Sequence, residues 1–472
     1  MLARLDARPT SWLVLGAALV ALTQISHAVA PLAWIAVVPW LRWLRLGGMG
    51  RRRLGFALAL FIGWSLAVLK IASEPRLALL TPIFAAPMAL AHCAAYFAWD
   101  LLRRRTSPVV ASAFVALAIG AGEAILFSVT ELGSWGAIGY TQMDDLALVQ
   151  SASVVGVAGV GVLVTFVGAG VEASLAGDRR PLVVAASLAL VAHVLGAARL
   201  WAAELSPPEL LPVALIGTDA DVSGTPLPDR ETTHAWDLTL AERTRAAARG
   251  GAELVVWTEA ATMVFPDDEE AWVSRLSELA RSAGVDVVAA YVVPVSDAPF
   301  RYRNEVRLAL RDGTIEVPYA KRHPVPGEPA IPGEVDAPFY ARPWGVLSGA
   351  ICYDYDFPPM ARARRSAGVV AVPASDWRGI DPVHGEMAVV RAIESGHAIV
   401  RSTRFGLSIA ADAWGHVRAS RSSFETGPGV TFALVPHEPV TTPYVVVGDV
   451  PLFLALGATL VLGLRRAGQT HA

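Results

Sequence analysis

The chain has 472 residues, of which 54% are hydrophobic and 17% charged, with a formal net charge of −3. Soluble domains carry about 25% charged residues, so this composition points to membrane spans and argues against an ordinary soluble protein. The small negative charge leaves no electrostatic footprint for nucleic acid, and no nucleic-acid partner is expected.

Long apolar runs occupy the first 200 residues, at roughly 12–29, 31–46, 54–73, 77–99, 107–129, 152–175 and 181–201, and another closes the chain at roughly 446–464. Each reads as a crossing helix; the second is short and carries Arg42 and Arg45. Basic clusters fall at every second connection: Arg4 with Arg8, Arg51 to Arg53, Arg103 to Arg105, Arg179 with Arg180, and Arg465 with Arg466. The alternate connections are poor in Lys and Arg, which is the positive-inside pattern. It places both termini in the cytoplasm and residues 211–443 outside. Ala28-Val29-Ala30 has the form of a signal-peptide cleavage site, but Pro31 directly after it argues against cutting. Of the ionisable residues in or near the runs, Lys70 and Glu172 are expected to snorkel, whereas Glu123 either pairs with a polar group between helices or has a functional role. Gly156 to Gly161 reads as a close-packing stretch of a span.

From residue 211 the pattern changes to short apolar runs alternating with amphipathic segments. Strands are predicted at 211–217, 253–257, 285–291, 304–310, 345–351, 368–373, 398–402, 406–412 and 429–434, with helices at 230–249, 269–283, 357–367 and 383–396. This alternation indicates a layered α/β domain. The expected organisation is a transmembrane bundle of about seven spans over 1–205, an extracytoplasmic catalytic domain over 211–443 and a final transmembrane helix at 446–464.

Polar residues stand where the strands end: Glu259, Cys352 and Asp376. A cysteine thiolate is a strong nucleophile once a base takes its proton, a partly desolvated carboxylate can be that base, and a lysine such as Lys321 can steady an oxyanion. Glu259, Lys321 and Cys352 are thus sufficient for acyl transfer through a thioester. Taken singly, each also has an ordinary reading, as a helix-capping carboxylate, a solvated lysine and a small buried residue. Cys93 lies in an apolar run, so no disulfide with Cys352 is expected. His323, His384 and His397 stand in separate segments without metal-ligand spacing, so no metal is expected, nor any cofactor.

The surrounding residues are more specific. Val255-Val-Trp-Thr-Glu-Ala-Ala261, Tyr319-Ala-Lys-Arg-His-Pro-Val-Pro-Gly-Glu328 and Gly349-Ala-Ile-Cys-Tyr-Asp354 resemble, in order, the glutamate, lysine and cysteine motifs of the nitrilase superfamily. Ser134 to Gln142, Val149-Gln150, Asp376-Trp377, Arg391 to Glu394, Arg401 to Thr403 with Gly406, and Gly448 to Leu452 extend the resemblance to its membrane branch, the apolipoprotein N-acyltransferases. The resemblance implies an αββα sandwich with Glu259 as general base, Lys321 as oxyanion stabiliser, Cys352 as nucleophile and Glu328 as a support beside Lys321. It further implies Tyr353, Asp354 and Trp377 as substrate-binding residues, a phospholipid acyl donor, a diacylglyceryl lipoprotein acceptor and a monomer in the inner membrane. This sequence departs from the branch in four places. Pro326-Gly327 is a residue short, Asp354 stands for Glu, Gly385-Glu386 stands for Gln-His, and Arg404 stands for Asn. The alternatives are a membrane-tethered amidohydrolase, an N-acyltransferase for a different amine and a non-enzymatic scaffold.

Overall fold

The computed structural model describes residues 5–47, 52–72, 78–205, 208–223 and 226–469. Arg4 and Arg51 lie outside the described residues, as do the side chains of Arg52, Arg465 and Arg466. The chain divides into two compact units, Met1–Leu205 with Thr442–Ala472, and Ser206–Thr441.

The first unit is helical. Its elements are α1 (Thr10–Thr23), α2 (Ala30–Ala33), α3 (Val38–Arg45), α4 (Arg52–Leu69), α5 (Thr81–Leu102), α6 (Pro108–Val129), α7 (Leu146–Val149), α8 (Ala152–Leu175) and α9 (Arg180–Leu205). Helices α5, α6, α8 and α9 are long and apolar enough to cross a membrane, and α1 and α4 are shorter apolar helices. Neighbours pack as α1 on α4, α4 on α5, α5 on α6, α6 on α8 and α8 on α9.

Two of the expected spans differ from single helices. The run at 12–29 is helical only to Thr23 and then turns, with Ile25 and His27 at positive φ. The run at 31–46 is α2 and α3 joined by a turn. Pro39 has no N–H to continue a helix and sits instead in the first turn of α3. The broken segment is anchored near both of its ends. Trp34 Nε1 donates to Gln142 Oε1 at 3.0 Å near its start. At its finish Arg42 pairs with Asp6, and Arg45 grips Glu172 through two bonds of 2.6 and 2.7 Å. Arg103 pairs with Asp100 at the end of α5.

The membrane-segment ionisable residues are therefore bonded inside the protein. Glu172 does not snorkel, because its buried carboxylate is held by Arg45. Lys70 does not snorkel either; it donates to the carbonyls of Gln24, at 2.6 Å, and Ser26, which the turn after α1 leaves without helical partners. Glu123 accepts from Ile138 N–H at 3.1 Å and lies 3.7 Å from His92, pinning the loop between α6 and α7.

The second unit comprises β1 (Leu210–Ile216), α10 (Arg230–Arg249), β2 (Leu254–Trp257), α11 (Glu269–Ala283), β3 (Asp286–Asp297), β4 (Phe300–Ala309), β5 (Tyr319–Ala320), β6 (Tyr340–Arg342), β7 (Gly345–Gly349), α12 (Pro358–Ala363), β8 (Val369–Ala371), β9 (Ala374–Ser375), α13 (Val383–Ser395), β10 (Ala398–Arg401), β11 (Thr403–Arg404), β12 (Leu407–Ala411), β13 (Val417–Ser422), α14 (Ser423–Thr426) and β14 (Val430–Pro436). The chain then returns to the first unit as α15 (Pro443–Val447) and α16 (Val450–Gln469), the latter packed on α6. Strands β5, β6, β9, β11 and β13 fall outside the sequence expectation, because they are short or polar.

Two six-stranded sheets form, in the orders β14-β1-β2-β3-β4-β5 and β13-β12-β10-β8-β7-β6. Strands β1, β2 and β3 are parallel, as are β7, β8 and β10. One face of each sheet meets the other: Val213, Leu254 and Val256 pack with Leu347, Val369 and Val400. The opposite face of the first sheet, including Val255 and Trp257, lies under Leu240 of α10 and Trp272 and Leu276 of α11. That of the second, including Val370 and Ile399, lies under Ala388 and Ala392 of α13. The layers are therefore αββα. Strands covered on both faces explain why Leu254-Val-Val-Trp257 is apolar throughout instead of alternating.

Gly368 precedes β8 and serves the ladder on both sides, donating to Val346 O and accepting from Ala398 N. A Cβ there would lie 1.7 Å from the His437 carbonyl oxygen. Gly368→Ala is expected to destabilise this domain by about 1–3 kcal/mol through overpacking, read as a lowered denaturation midpoint. An unchanged midpoint would contradict the close approach of residue 437.

Candidate active site

Three strand ends converge. Glu259 stands two residues beyond β2, Lys321 directly after β5 and Cys352 three residues beyond β7. Lys321 Nζ donates to Glu259 Oε1 at 2.8 Å and to Glu328 Oε2 at 2.7 Å. Asn304, on β4, also joins the two carboxylates, donating to Glu259 Oε1 at 2.7 Å and Glu328 Oε1 at 3.1 Å. Tyr302 Oη donates to Glu328 at 3.2 Å. Glu259 Oε2 makes no hydrogen bond among the described residues.

Local turns set these positions. Pro326 and Gly327, the latter at φ +94°, form a tight turn closed by Glu328 N–H to Val325 O. The turn folds Glu328 back so that its carboxylate accepts from Val325 N–H and faces Lys321. Cys352 has φ +48°, as does Ala260 directly after Glu259. Such backbone is costly for residues with a side chain and persists only where surroundings enforce it. Here Cys352 N–H is held by Pro373 O at 2.8 Å and Glu259 N–H by Ala374 O at 3.2 Å. Cys352 Sγ faces Ser375 O at 3.6 Å.

The site is nearly dry, with Lys321 1%, Cys352 2% and Glu259 3% exposed. Burial opposes the charge of Lys321, but Glu259 and Glu328 outweigh it and hold the amine well above its usual pKa. Burial raises the Glu328 carboxyl, but Lys321 overcomes it, for a net lowering. For Cys352, burial and the charge of Glu259 push the thiol well above its usual pKa, against the pull of Lys321. The resting cysteine is therefore a thiol, and forming the thiolate requires proton transfer to a neighbour.

A second ionic cluster lies behind Cys352. Asp376 accepts from His384 Nδ1 at 2.7 Å and from Arg401 at 2.8 and 3.1 Å, while His384 Nε2 donates to Asp356 at 3.0 Å. Arg401 Nη2 also lies 2.9 Å from His384 Nδ1. With both groups protonated, this is a contact between two donors around one carboxylate. Burial opposes the charge of His384, but Asp356 and Asp376 raise its pKa to about 9. Asp376 is desolvated too, yet Arg401 and His384 bring it to about 2. Donor atoms of Cys352, Asp376 and His384 all lie within 4.8 Å of one another. With both imidazole nitrogens on carboxylates and a guanidinium alongside, this donor set does not fit a metal ion.

The remaining residues named from the sequence sit as follows. Asp354 is fully buried and accepts from Tyr319 Oη, Arg322 N–H, His323 N–H and Ile351 N–H at 2.7 to 3.3 Å. Its oxygens are thus spent on shaping the lysine and cysteine loops. Tyr353 is buried with its ring edge-on to Phe357. Trp377 is partly exposed in the loop after Asp376. Arg404 is buried and donates to Ser375 Oγ at 3.2 Å, Ala260 O at 3.4 Å and Ala220 O. It braces the residues behind both Glu259 and Cys352. Asn304 and the role of His384 have no sequence signal of their own; Arg401 is marked by resemblance alone, and Asp376 also by its place at a strand end.

The αββα layers with Glu, Lys and Cys at strand ends are those of a carbon-nitrogen hydrolase, whose family profile matches residues 213–441. The profile of the apolipoprotein N-acyltransferase N-terminal domain matches residues 16–170. A similar protein of Geobacter metallireducens, named apolipoprotein N-acyltransferase, is 27% identical over 87% of this chain and 87% of its own length. One of Vibrio vulnificus with the same name is 25% identical over 72% of this chain and 71% of its own length. Among solved structures, an amidase from Nesterenkonia sp. is 22% identical, with a TM-score of 0.42 over 53% of this chain and 97% of its own. The chain belongs to the apolipoprotein N-acyltransferase family.

His384 has a folded pKa of about 9 against a usual 6.5. Its charge therefore contributes stability that is complete below about pH 6.5 and lost as pH rises through about 9. The gap in denaturation midpoint between wild type and His384→Gln should be widest at the acid end of this window and shrink across it. A gap independent of pH would mean that His384 is buried neutral.

Proposed function

We propose that the protein moves an acyl chain from a membrane phospholipid to the N-terminal amine of a diacylglyceryl-cysteine lipoprotein, through a thioester on Cys352. The observation that carries this reading is the buried Glu259–Lys321–Glu328 ion set beside Cys352, in a chain with helices long enough to reach lipid substrates. Family membership supplies the acceptor class.

Glu259 takes the thiol proton, and its Oε2 is the oxygen available for that. Sγ then bonds to the ester carbonyl carbon, and Lys321 steadies the oxyanion that forms. Collapse breaks the bond to the glycerol oxygen, which leaves as lysophospholipid with the proton from Glu259. The acceptor amine next attacks the thioester carbonyl. Glu259 takes the amine proton and returns it to the departing sulfur, leaving an amide. A protonated Lys321 matches this role, because an oxyanion gains most from a fixed charge in a water-poor site.

The catalytic domain works on the extracytoplasmic face of the inner membrane. Support comes from the sequence pattern of basic clusters at alternate connections. Asp6, Arg42, Arg45, Asp100, Arg103 and Glu172 also pair at or near the helix ends beside those clusters, and α9 begins there at Arg180 and leaves the other way.

The test uses the full chain in detergent with acyl-labelled phospholipid, followed by a diacylglyceryl peptide with a free N-terminus. Wild type should carry hydroxylamine-sensitive label on Cys352 that discharges onto the peptide; Cys352→Ala should carry none. Glu259→Gln should slow acylation by about 10²–10⁴-fold, and Lys321→Met by about 10²–10³-fold. Label passing only to water would replace this reading with that of an amidohydrolase. Normal transfer by Cys352→Ala would end the thioester mechanism.

A further inference from the structure

The helical unit contains a groove of about 500 Å³ between α6, α8, α9 and α16, within the size range of about 300–1,000 Å³ common for ligand pockets. Its walls are apolar, with Leu117 from α6, Val162 from α8, Val191 and Leu195 from α9, and Leu452 from α16. Polarity is confined to Gln150, Ser151, Ser153 and Arg199. The two serine hydroxyls are turned inward onto the carbonyls of Leu148 and Gln150, at 2.6 and 2.7 Å. Arg199 is the charged residue among those lining the groove, and it donates to Gln150 Oε1.

Arg199 is 19 residues beyond Arg180 on α9, about 28 Å along a helix rising 1.5 Å per residue. That length is close to the roughly 30 Å of a bilayer's hydrocarbon core. If Arg180 marks one hydrocarbon boundary, Arg199 marks the other, at head-group level. The groove runs from there along α9 and is open on that side, since Leu188, Val191 and Leu195, which line it, are themselves exposed. Close packing fixes its frame. A Cβ on Gly196 would lie 1.8 Å from Ala147 O, and one on Gly156 would lie 2.5 Å from the Tyr444 ring. Gly156 also has φ +67°, which interrupts α8.

An acyl chain gains no hydrophobic energy by leaving bulk lipid for such walls, because lipid tails are equally apolar. Selection must come from the polar end, where a guanidinium offers paired donors to a phosphodiester. We propose that the groove holds one resident phospholipid, its acyl chain along the apolar slot and its phosphate on Arg199. This lipid is a component of the bundle and does not depend on the reaction at Cys352.

The experiment is native mass spectrometry of the full chain in detergent, in the Cys352→Ala background so that no acyl-enzyme forms. The probes are dioleoyl phosphatidylglycerol and dioleoylglycerol, which differ in the phosphate-bearing head group. One phosphatidylglycerol should remain bound, and dioleoylglycerol should not. Arg199→Gln should lower retention about tenfold or more, and Arg199→Lys should restore part of it. Ala455→Phe, on the α16 wall, should lower it by filling the slot. Equal retention in all variants, or equal retention of dioleoylglycerol, overturns the proposal and leaves Arg199 as an arginine reaching for the interface. Denaturation midpoints of the lipid-free variants serve as the fold control; a variant with a collapsed midpoint is set aside, and the remaining two decide.

Discussion

The position of a single ammonium group governs the catalytic domain. Lys321 lies between Glu259 and Glu328 with almost no water, and no member of the trio is tolerable alone in that place. The arrangement is satisfied because three strands deliver its parts. Strand β2 brings Glu259, β4 brings Asn304 to bridge the carboxylates, and β5 brings Lys321 itself. Two lone pairs of Glu328 are used by Lys321 and the Val325 N–H, so the turn at Pro326-Gly327 is as much a part of the site as the charges. The layers supply the rigidity that holds a charged triad in a dry interior.

Cys352 sits between this trio and the cluster of Asp376, His384, Arg401 and Asp356. The two clusters differ in kind. In the first, one cation faces two carboxylates and one of those carboxylates keeps an oxygen available. In the second, two cations and two carboxylates neutralise each other almost completely. The first leaves a carboxylate oxygen without a hydrogen bond among the described residues, whereas the second ties together the segments around Cys352. A buried carboxylate next to a sulfur would normally suppress its ionisation; pairing Asp376 with Arg401 and His384 limits that effect.

Much of this was legible in the sequence. Continuous apolar strands between amphipathic helices gave the layered α/β domain, and Glu259, Lys321 and Cys352 stood out because strand ends and motif neighbours marked them. Asn304 did not, because a polar residue inside a strand looks the same whether it faces water or a carboxylate. His384 read as an unremarkable histidine, since its partners at 356, 376 and 401 meet it only through the fold. Asp354 reads from the sequence as a pocket residue, and only the fold shows that four donors from two separate loops reach its carboxylate. Among the apolar runs, hydropathy did not reveal the turn after Thr23 or the break before Pro39. At the first, the open carbonyls are satisfied by a distant residue, Lys70, that no local pattern links to them; at the second, the chain closes on its own backbone, Ile35 N–H on Leu32 O and Val38 N–H on Ile35 O.

Glu259 and Cys352 come from different sheets, yet their backbone amides hang on adjacent carbonyls, those of Ala374 and Pro373. A shift of that short stretch carries Glu259 and Cys352 in the same direction. The two sheets are therefore pinned to one another at this point through a single dipeptide, and a slide of either sheet that moved one residue apart from the other would have to break one of the two bonds.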